Sequence, residues 1–186
     1  MTGSHIDTQP TGGKFDGNYG VLAGIEVVRT LNDHGINTEA PIEVAFWTNE
    51  EGSRFVPVMM GSGVFAGAFS LEHAYNARDT DGKSVREELE RIGYVGTEVP
   101  GQHHIGAYFE THIEQGPVLE AEDLSTCAVT AIAGANRMTV QIDGDAGHAG
   151  TVPMGARRDA LKAACECILA VETTATRHEH AVGTVG

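Results

Sequence analysis

Histidine and carboxylate residues cluster at three places in the sequence, each beside glycine. His5 and Asp16 belong to the first cluster, Glu50 and Glu51 form the second, and His112 lies among acidic residues in the third. Imidazole and carboxylate groups without thiolates suit Zn²⁺, Mn²⁺ or Co²⁺ in a hydrolytic site. The pattern therefore indicates a metal-dependent hydrolase.

The spacing within the first two clusters favours this chemistry. His5 and Asp7 lie two residues apart, so on an extended strand they point the same way and Asp7 is able to hold the His5 ring in one tautomer. The neighbouring carboxylates of Glu50 and Glu51 repel each other. A cation offsets that repulsion, because one carboxylate binds the metal while the other takes a proton from water. Taken singly, a surface histidine, an Asx turn at Asp16 and a solvated acidic turn are the ordinary alternatives.

Composition excludes several other function classes. The 186 residues include 26 acidic and 12 basic side chains, a formal charge of −14. No basic surplus is present to neutralise nucleic-acid phosphates or to bind an anionic membrane surface. The sequence has no apolar run of membrane-spanning length and no signal peptide, and its three cysteines form no disulfide or zinc pattern. These features predict a cytoplasmic protein with neither a nucleic-acid nor a membrane partner.

Hydrophobic periodicity predicts helices alternating with strands, and hence an α/β fold. Helices are predicted at 18–34, 84–92 and 158–172, and strands at 42–48, 106–113, 127–132 and 137–143. The capping-box pattern of Ser84 and Glu87 starts the second helix, and Gly35 ends the first. The domain boundary is predicted near Ala133-Gly134. The abrupt start and end indicate the middle of a longer protein.

Five motifs, in this order, resemble the N-carbamoyl-L-amino-acid hydrolases. They are Gly-Ser-His-Ile-Asp-Thr (3–8), Gly-Gly-Lys-Phe-Asp-Gly (12–17), Thr-Asn-Glu-Glu-Gly-Ser-Arg-Phe (48–55), Glu-Thr-His-Ile-Glu-Gln-Gly (110–116) and Gly-His-Ala-Gly-Thr-Val-Pro-Met (147–154). The resemblance covers essentially the whole chain. These enzymes belong with the allantoate amidohydrolases and β-ureidopropionases among the M20-type dinuclear metallohydrolases.

The resemblance implies a fold and a metal site. A central mixed sheet flanked by helices would form a zinc-exopeptidase-like catalytic domain over 1–133, and 134–186 would begin an α+β satellite domain used for dimerisation. Two divalent ions, Zn²⁺, Mn²⁺ or Co²⁺, would occupy each active site. His5 and His112 would bind one ion and Glu51 the other, with Asp16 bridging them. Asp7 would support His5 from behind.

The resemblance also implies the reaction. Glu50 would be the general base, and Gln115 would bind substrate. His148 would reach the active site of the partner subunit of a homodimer, bind the substrate there and polarise its carbonyl. The expected reaction removes the carbamoyl group from an N-carbamoyl-L-amino acid, which gives the amino acid, ammonia and CO₂.

Three alternatives to this activity stay open. Allantoate or N-carbamoyl-β-alanine would use the same site, as in an allantoate amidohydrolase or a β-ureidopropionase. The third alternative belongs to another function class: the chain would be a non-catalytic truncated fragment or dimerisation module. The family supplies a further histidine for the second ion, and an Asn and an Arg for the substrate carboxylate, from segments with no match in this sequence.

Overall fold

The structure of the protein is a computed structural model that describes residues 1–102 and 104–186. The elements of the described chain are β1 (Thr2–His5), α1 (Asp16–Asp33), β2 (Val44–Trp47), α2 (Met60–Phe65), α3 (Leu71–Asn76), α4 (Val85–Ile92), α5 (Val118–Ala121), a 3₁₀ turn (Met154–Ala156) and α6 (Ala160–Thr176). None of the helices in these ranges has the length and apolar character needed to cross a bilayer.

The chain divides into two compact units, Met1–Ala128 and Val129–Gly186. The first unit contains β1 to α5, and the second contains the 3₁₀ turn and α6. The assignment of catalytic and satellite roles to 1–133 and 134–186 stays a prediction.

The first unit is built on a parallel strand pair. β1 and β2 pair from Thr2 opposite Val44 to His5 opposite Trp47, and α1 connects them along the chain. The helix approaches the strands closely at Gly24, where a Cβ atom would lie 2.9 Å from the Thr2 side chain. A strand–helix–strand unit of this kind brings the carboxyl ends of both strands to one edge, where α/β proteins place their functional groups.

Three of the predicted strands are not formed in the described chain. Within 106–113 the structure has a single parallel bridge, between Phe109 and Thr2, and 127–132 and 137–143 contain no strand. A strand requires a ladder of hydrogen bonds to a neighbour, which an apolar pattern alone does not supply. For 127–132 and 137–143 no described segment provides that neighbour, and Ile132 and Met138 are 85% and 81% exposed. A mixed sheet and an α+β satellite domain therefore stay predictions.

The helices α2, α3 and α4 enclose a small core of Phe55, Met60, Ala74 and Val85. The predicted capping box of α4 is confirmed: Ser84 accepts from the Glu87 N–H, and the Glu87 carboxylate accepts from the Ser84 N–H at 2.7 Å. Gly35 adopts φ +63° just beyond α1, as predicted for the residue that ends a helix.

Candidate metal centre

The carboxyl ends of β1 and β2 bring the first two clusters together. His5 is the last residue of β1 and lies opposite Trp47, the last residue of β2. The chain then turns back at Asn49, which has φ +53° and holds the turn with a side-chain hydrogen bond to the Phe55 carbonyl at 2.8 Å. As a result, the Glu50 carboxylate lies 3.7 Å from Nε2 of His5.

Helix α1 supplies a buried carboxylate beside His5. The helix begins at Asp16, where the positive end of its dipole stabilises a negative charge. Asp16 is 3% exposed and His5 is 4% exposed. Gly17 permits this approach, since a Cβ atom there would lie 2.3 Å from Cδ2 of the His5 ring.

The third cluster contributes His112, whose Nε2 lies 3.4 Å from Oδ1 of Asp16. The rings of His5 and His112 have their centroids 5.8 Å apart. One ligand atom from each of His5, Asp16 and His112 lies within 4.8 Å of the other two. Two imidazoles and a carboxylate converging in this way fit a divalent cation such as Zn²⁺, Mn²⁺ or Co²⁺.

The contacts of both histidines favour the tautomer that leaves Nε2 for a metal. Nδ1 of His5 lies 2.8 Å from the Asp7 carbonyl, and Nδ1 of His112 lies 2.9 Å from the Ile113 carbonyl. A carbonyl only accepts hydrogen bonds, so Nδ1 carries the proton in each ring. Nε2 of each ring is then free to donate its lone pair to a cation.

Asp7 supports the site through a different atom from the one expected. The His5 ring contacts its backbone carbonyl, while the carboxylate is 3.8 Å from Nδ1. That carboxylate accepts hydrogen bonds from the backbone N–H groups of Glu50 at 3.3 Å and Glu51 at 3.1 Å. Asp7 thus links the His5 ring to the turn that carries both glutamates.

The environment of Glu50 favours proton uptake. Burial raises the pKa of its carboxyl, His5 opposes this rise, and the negative charges of Glu51, Asp7 and Asp16 add to it. A carboxylate of raised pKa is a better general base near neutral pH. Glu50 therefore combines proximity to the cluster with basicity suited to taking a proton from water.

Glu51 and Gln115 are placed differently from the three clustered ligands. Glu51 is not in the group formed by His5, Asp16 and His112, and its carboxylate accepts from the Gln9 side chain at 3.0 Å. Gln115 adopts φ +58° and donates from Nε2 to Oδ1 of Asp16 at 2.7 Å. In the structure Gln115 therefore contacts Asp16, a candidate metal ligand, whereas its predicted role is to bind substrate.

His148 lies in the second unit, in a turn framed by glycines. Nδ1 of its ring accepts a hydrogen bond from the Gly150 N–H at 3.0 Å, so the neutral ring carries its proton on Nε2. It lines a cavity of about 480 Å³ within that unit, together with Asp145 and Arg157. The exposed ring thus presents an N–H donor.

Several residues that position these groups are not among the predicted site residues. Asn49 turns the glutamates back toward His5, and Gly17 admits the His5 ring. Ser4 and Glu110, which share a 2.5 Å hydrogen bond, join the segments that carry the two histidines. Ser4 lies one residue before His5 and Glu110 two residues before His112, but no sequence pattern connects the two.

Comparison with known proteins identifies the family. A family model described as Peptidase family M20/M25/M40 matches residues 1–184. The chain belongs to this family. N-carbamoyl-L-amino-acid amidohydrolase of Rhizobium meliloti is 51% identical over 185 residues, which cover 99% of this chain and 44% of that protein. Allantoate amidohydrolase of Bacillus subtilis is 38% identical over 170 residues, which cover 90% of this chain and 41% of that protein.

A solved structure of an amidase shows the same fold. The crystal structure of an amidase of the hydantoinase/carbamoylase family from Burkholderia multivorans matches with a TM-score of 0.75 and 47% identity. The match covers 95% of this chain and 43% of the amidase. This M20 chain therefore spans less than half the length of the relatives that it matches.

Proposed function

We propose that the protein is a metal-dependent amidohydrolase that removes the carbamoyl group from N-carbamoyl-L-amino acids. The observation that carries the proposal is the convergence of His5, Asp16 and His112 within 4.8 Å of one another, next to Glu50. The 51% identity to a protein named N-carbamoyl-L-amino-acid amidohydrolase supports the substrate class. The overall reaction consumes one water and yields the amino acid, ammonia and CO₂.

The proposed cofactor is a pair of divalent ions, Zn²⁺, Mn²⁺ or Co²⁺. His5 and His112 would hold one ion, Glu51 the other, and Asp16 both. Bound ions of this kind lower the pKa of water and polarise a carbonyl oxygen. The burial of Asp16 and the contacts of both imidazoles through Nδ1, which leave Nε2 for a cation, support this assignment.

Residues of the chain itself would then transfer the proton of the attacking water. The Glu50 carboxylate takes a proton from the attacking water and gives it to the nitrogen that leaves the carbamoyl carbon. Nε2–H of His148 of the partner subunit donates to the substrate oxygen, where negative charge develops. Gln115 would bind the substrate in addition to its contact with Asp16. A homodimer and a cytoplasmic location belong to the same proposal.

Glu50→Gln tests the role of the base. The amide cannot accept the proton, so ammonia release should fall by about 10²–10⁴-fold, the usual contribution of a general base. The metal content measured by elemental analysis should stay at the wild-type value, because Glu50 is not among the proposed ligands. Ammonia release equal to that of the wild-type protein would remove Glu50 as the base.

Allantoate is the second candidate substrate, and the 38% identity to an allantoate amidohydrolase favours it. N-carbamoyl-β-alanine stays a third candidate. Ammonia release should be measured with N-carbamoyl-L-amino acids, allantoate and N-carbamoyl-β-alanine at equal concentrations. The highest kcat/KM on an N-carbamoyl-L-amino acid is expected. A metal-loaded protein that acts on none of the three would instead support a non-catalytic module.

A further inference from the structure

The two candidate histidine ligands come from segments that are far apart in sequence but adjacent in space. His5 ends β1, and His112 follows the segment that runs beside β1. Backbone hydrogen bonds join these segments before the histidines: the Phe109 N–H donates to the Met1 carbonyl at 3.1 Å, and the Gly3 N–H donates to the Phe109 carbonyl at 3.3 Å. Closer to the two histidines, side-chain hydrogen bonds join the same two segments.

Glu110 makes the side-chain link that lies closest to both histidines. Its Oε1 accepts from the Ser4 hydroxyl at 2.5 Å. Ser4 directly precedes His5 and is fully buried, at 0% exposure. If Glu110 were removed, that hydroxyl would lose its partner in a place that water does not reach, which is costly.

A second branch reaches Glu110 through Tyr108. The Tyr108 hydroxyl lies 3.0 Å from Oε2 of Glu110 and 3.1 Å from the Gly3 carbonyl, and it accepts from Nε1 of Trp47 at 2.9 Å. Burial raises the pKa of Tyr108 to about 12, so the hydroxyl keeps the proton that it shares between the two acceptors. These hydrogen bonds of Tyr108 and Glu110 therefore connect β1 and the end of β2 to the segment before His112.

We propose that Glu110 is a positioning residue, which sets the separation of the His5 and His112 rings by fixing their two segments through Ser4 and Tyr108. The proposal rests on the metal centre proposed above. Glu110 is not among the proposed ligands, and its two carboxylate oxygens contact Ser4 and Tyr108 instead. Glu110 affects metal binding indirectly, because it fixes the backbone segments that carry the proposed ligands His5 and His112.

The test measures Co²⁺ binding, because Co²⁺ reports both affinity and ligand geometry through its visible absorption. Affinity is obtained by competition with a chromophoric chelator for the wild-type protein, Glu110→Ala, Glu110→Gln, Ser4→Ala and the Ser4→Ala/Glu110→Ala double variant. Glu39→Ala, which removes an exposed glutamate elsewhere, is the matched control. Circular dichroism and thermal unfolding of the metal-free variants show which of them fold.

Glu110→Ala should weaken Co²⁺ binding by about 10–100-fold, as outer contacts of metal ligands do, and should change the visible bands. Glu110→Gln should bind nearly as the wild type, because its amide oxygen still accepts from Ser4. Ser4→Ala should weaken binding in the same direction, and the double variant should be no weaker than Glu110→Ala. Glu39→Ala should match the wild type.

Wild-type affinity and bands in Glu110→Ala would overturn the proposal, as would additive losses in the double variant. A lower unfolding temperature with unchanged bands would mean a purely structural role. If Glu110→Ala does not fold, wild-type binding by Ser4→Ala overturns the proposal in its place. A wild-type protein that binds no Co²⁺ would instead overturn the metal centre itself.

Discussion

At the scale of single residues, the packing of Gly17 against the His5 ring sets how closely helix α1 approaches this candidate ligand. A methyl group at residue 17 would meet the ring at 2.3 Å. Gly17→Ala should therefore displace the His5 ring and weaken metal binding by about tenfold or more. The overpacking should also cost about 1–3 kcal/mol of stability, which exceeds the helix propensity gained.

Metal titration and thermal unfolding check this prediction. Gly13→Ala is the matched control, because a Cβ atom at Gly13 meets nothing within 4 Å. It should bind metal as the wild type does. Equal metal affinity in Gly17→Ala and Gly13→Ala would show that the His5 ring tolerates the added methyl group.

The candidate ligands were predictable from the sequence because their residue types carry the chemistry. His5, Asp16 and His112 stand out as imidazoles and a carboxylate beside glycines, and the structure brings these three together. Their supports were not predictable in the same way. The His5 ring contacts the backbone carbonyl of Asp7, and every residue has such a carbonyl, so this contact leaves no sequence pattern. The hydrogen bond between Ser4 and Glu110 joins residues 106 positions apart, so it leaves no local pattern either.

At the scale of the elements, Arg54 connects the segment after the two glutamates to α4 and to the turn at Asp79. Its guanidinium lies 2.8 Å from Oδ2 of Asp79 and 2.8 Å from Oε2 of Glu88, whose side chains are 5% and 12% exposed. Hydrogen bonds from Arg91 and Arg54 lower the pKa of Glu88 from its ordinary value near 4.5 to about 2. The ion pair is thus a stabilising contact that depends on pH.

Arg54→Met should lower the free energy of unfolding at pH 7, and the deficit should shrink as the pH falls. The folded protein holds Glu88 ionised down to about pH 2, whereas the unfolded chain protonates it near pH 4.5. The share of this stabilisation that Arg54 supplies, beside that of Arg91, is therefore complete above pH 4.5 and disappears between pH 4.5 and 2. Urea unfolding at several pH values measures this difference.

Arg29→Met is the control for this series. Arg29 pairs with Glu26 at 3.7 Å with both side chains about 70% exposed, and such surface pairs contribute little. Its unfolding free energy should stay close to that of the wild type at every pH. A deficit in Arg54→Met that does not change with pH would contradict the role given to Glu88.

The three predicted helices form, although α2, α3 and α5 were not predicted, whereas three of the four predicted strands do not form, and the difference has a physical reason. The start of α4 depends on Ser84 and Glu87, three residues apart, so the signal and the structure are both local. A strand at 106–113 depends on a partner elsewhere in the chain. There the predicted strand is not formed, and only Phe109 makes a bridge to β1.

At the scale of the whole molecule, the proposed dimer makes each active site depend on two subunits. Glu50 and His148 lie in different compact units of the chain. If His148 acts on the site of the partner subunit, each site needs Glu50 from one chain and His148 from the other. Glu50→Gln and His148→Ala should each be nearly inactive as homodimers, for lack of the base and of the N–H donor respectively.

Mixing the two variants should restore activity in a defined amount. In a mixed dimer, the subunit with His148→Ala keeps Glu50 and receives an intact His148 from its partner, so one of its two sites is complete. Random exchange makes half of the dimers mixed, so roughly one quarter of the wild-type ammonia release should return. If His148 acted within its own chain, every site would lack one group and mixing would restore nothing. Size-exclusion chromatography before the assay shows whether dimers are present to exchange.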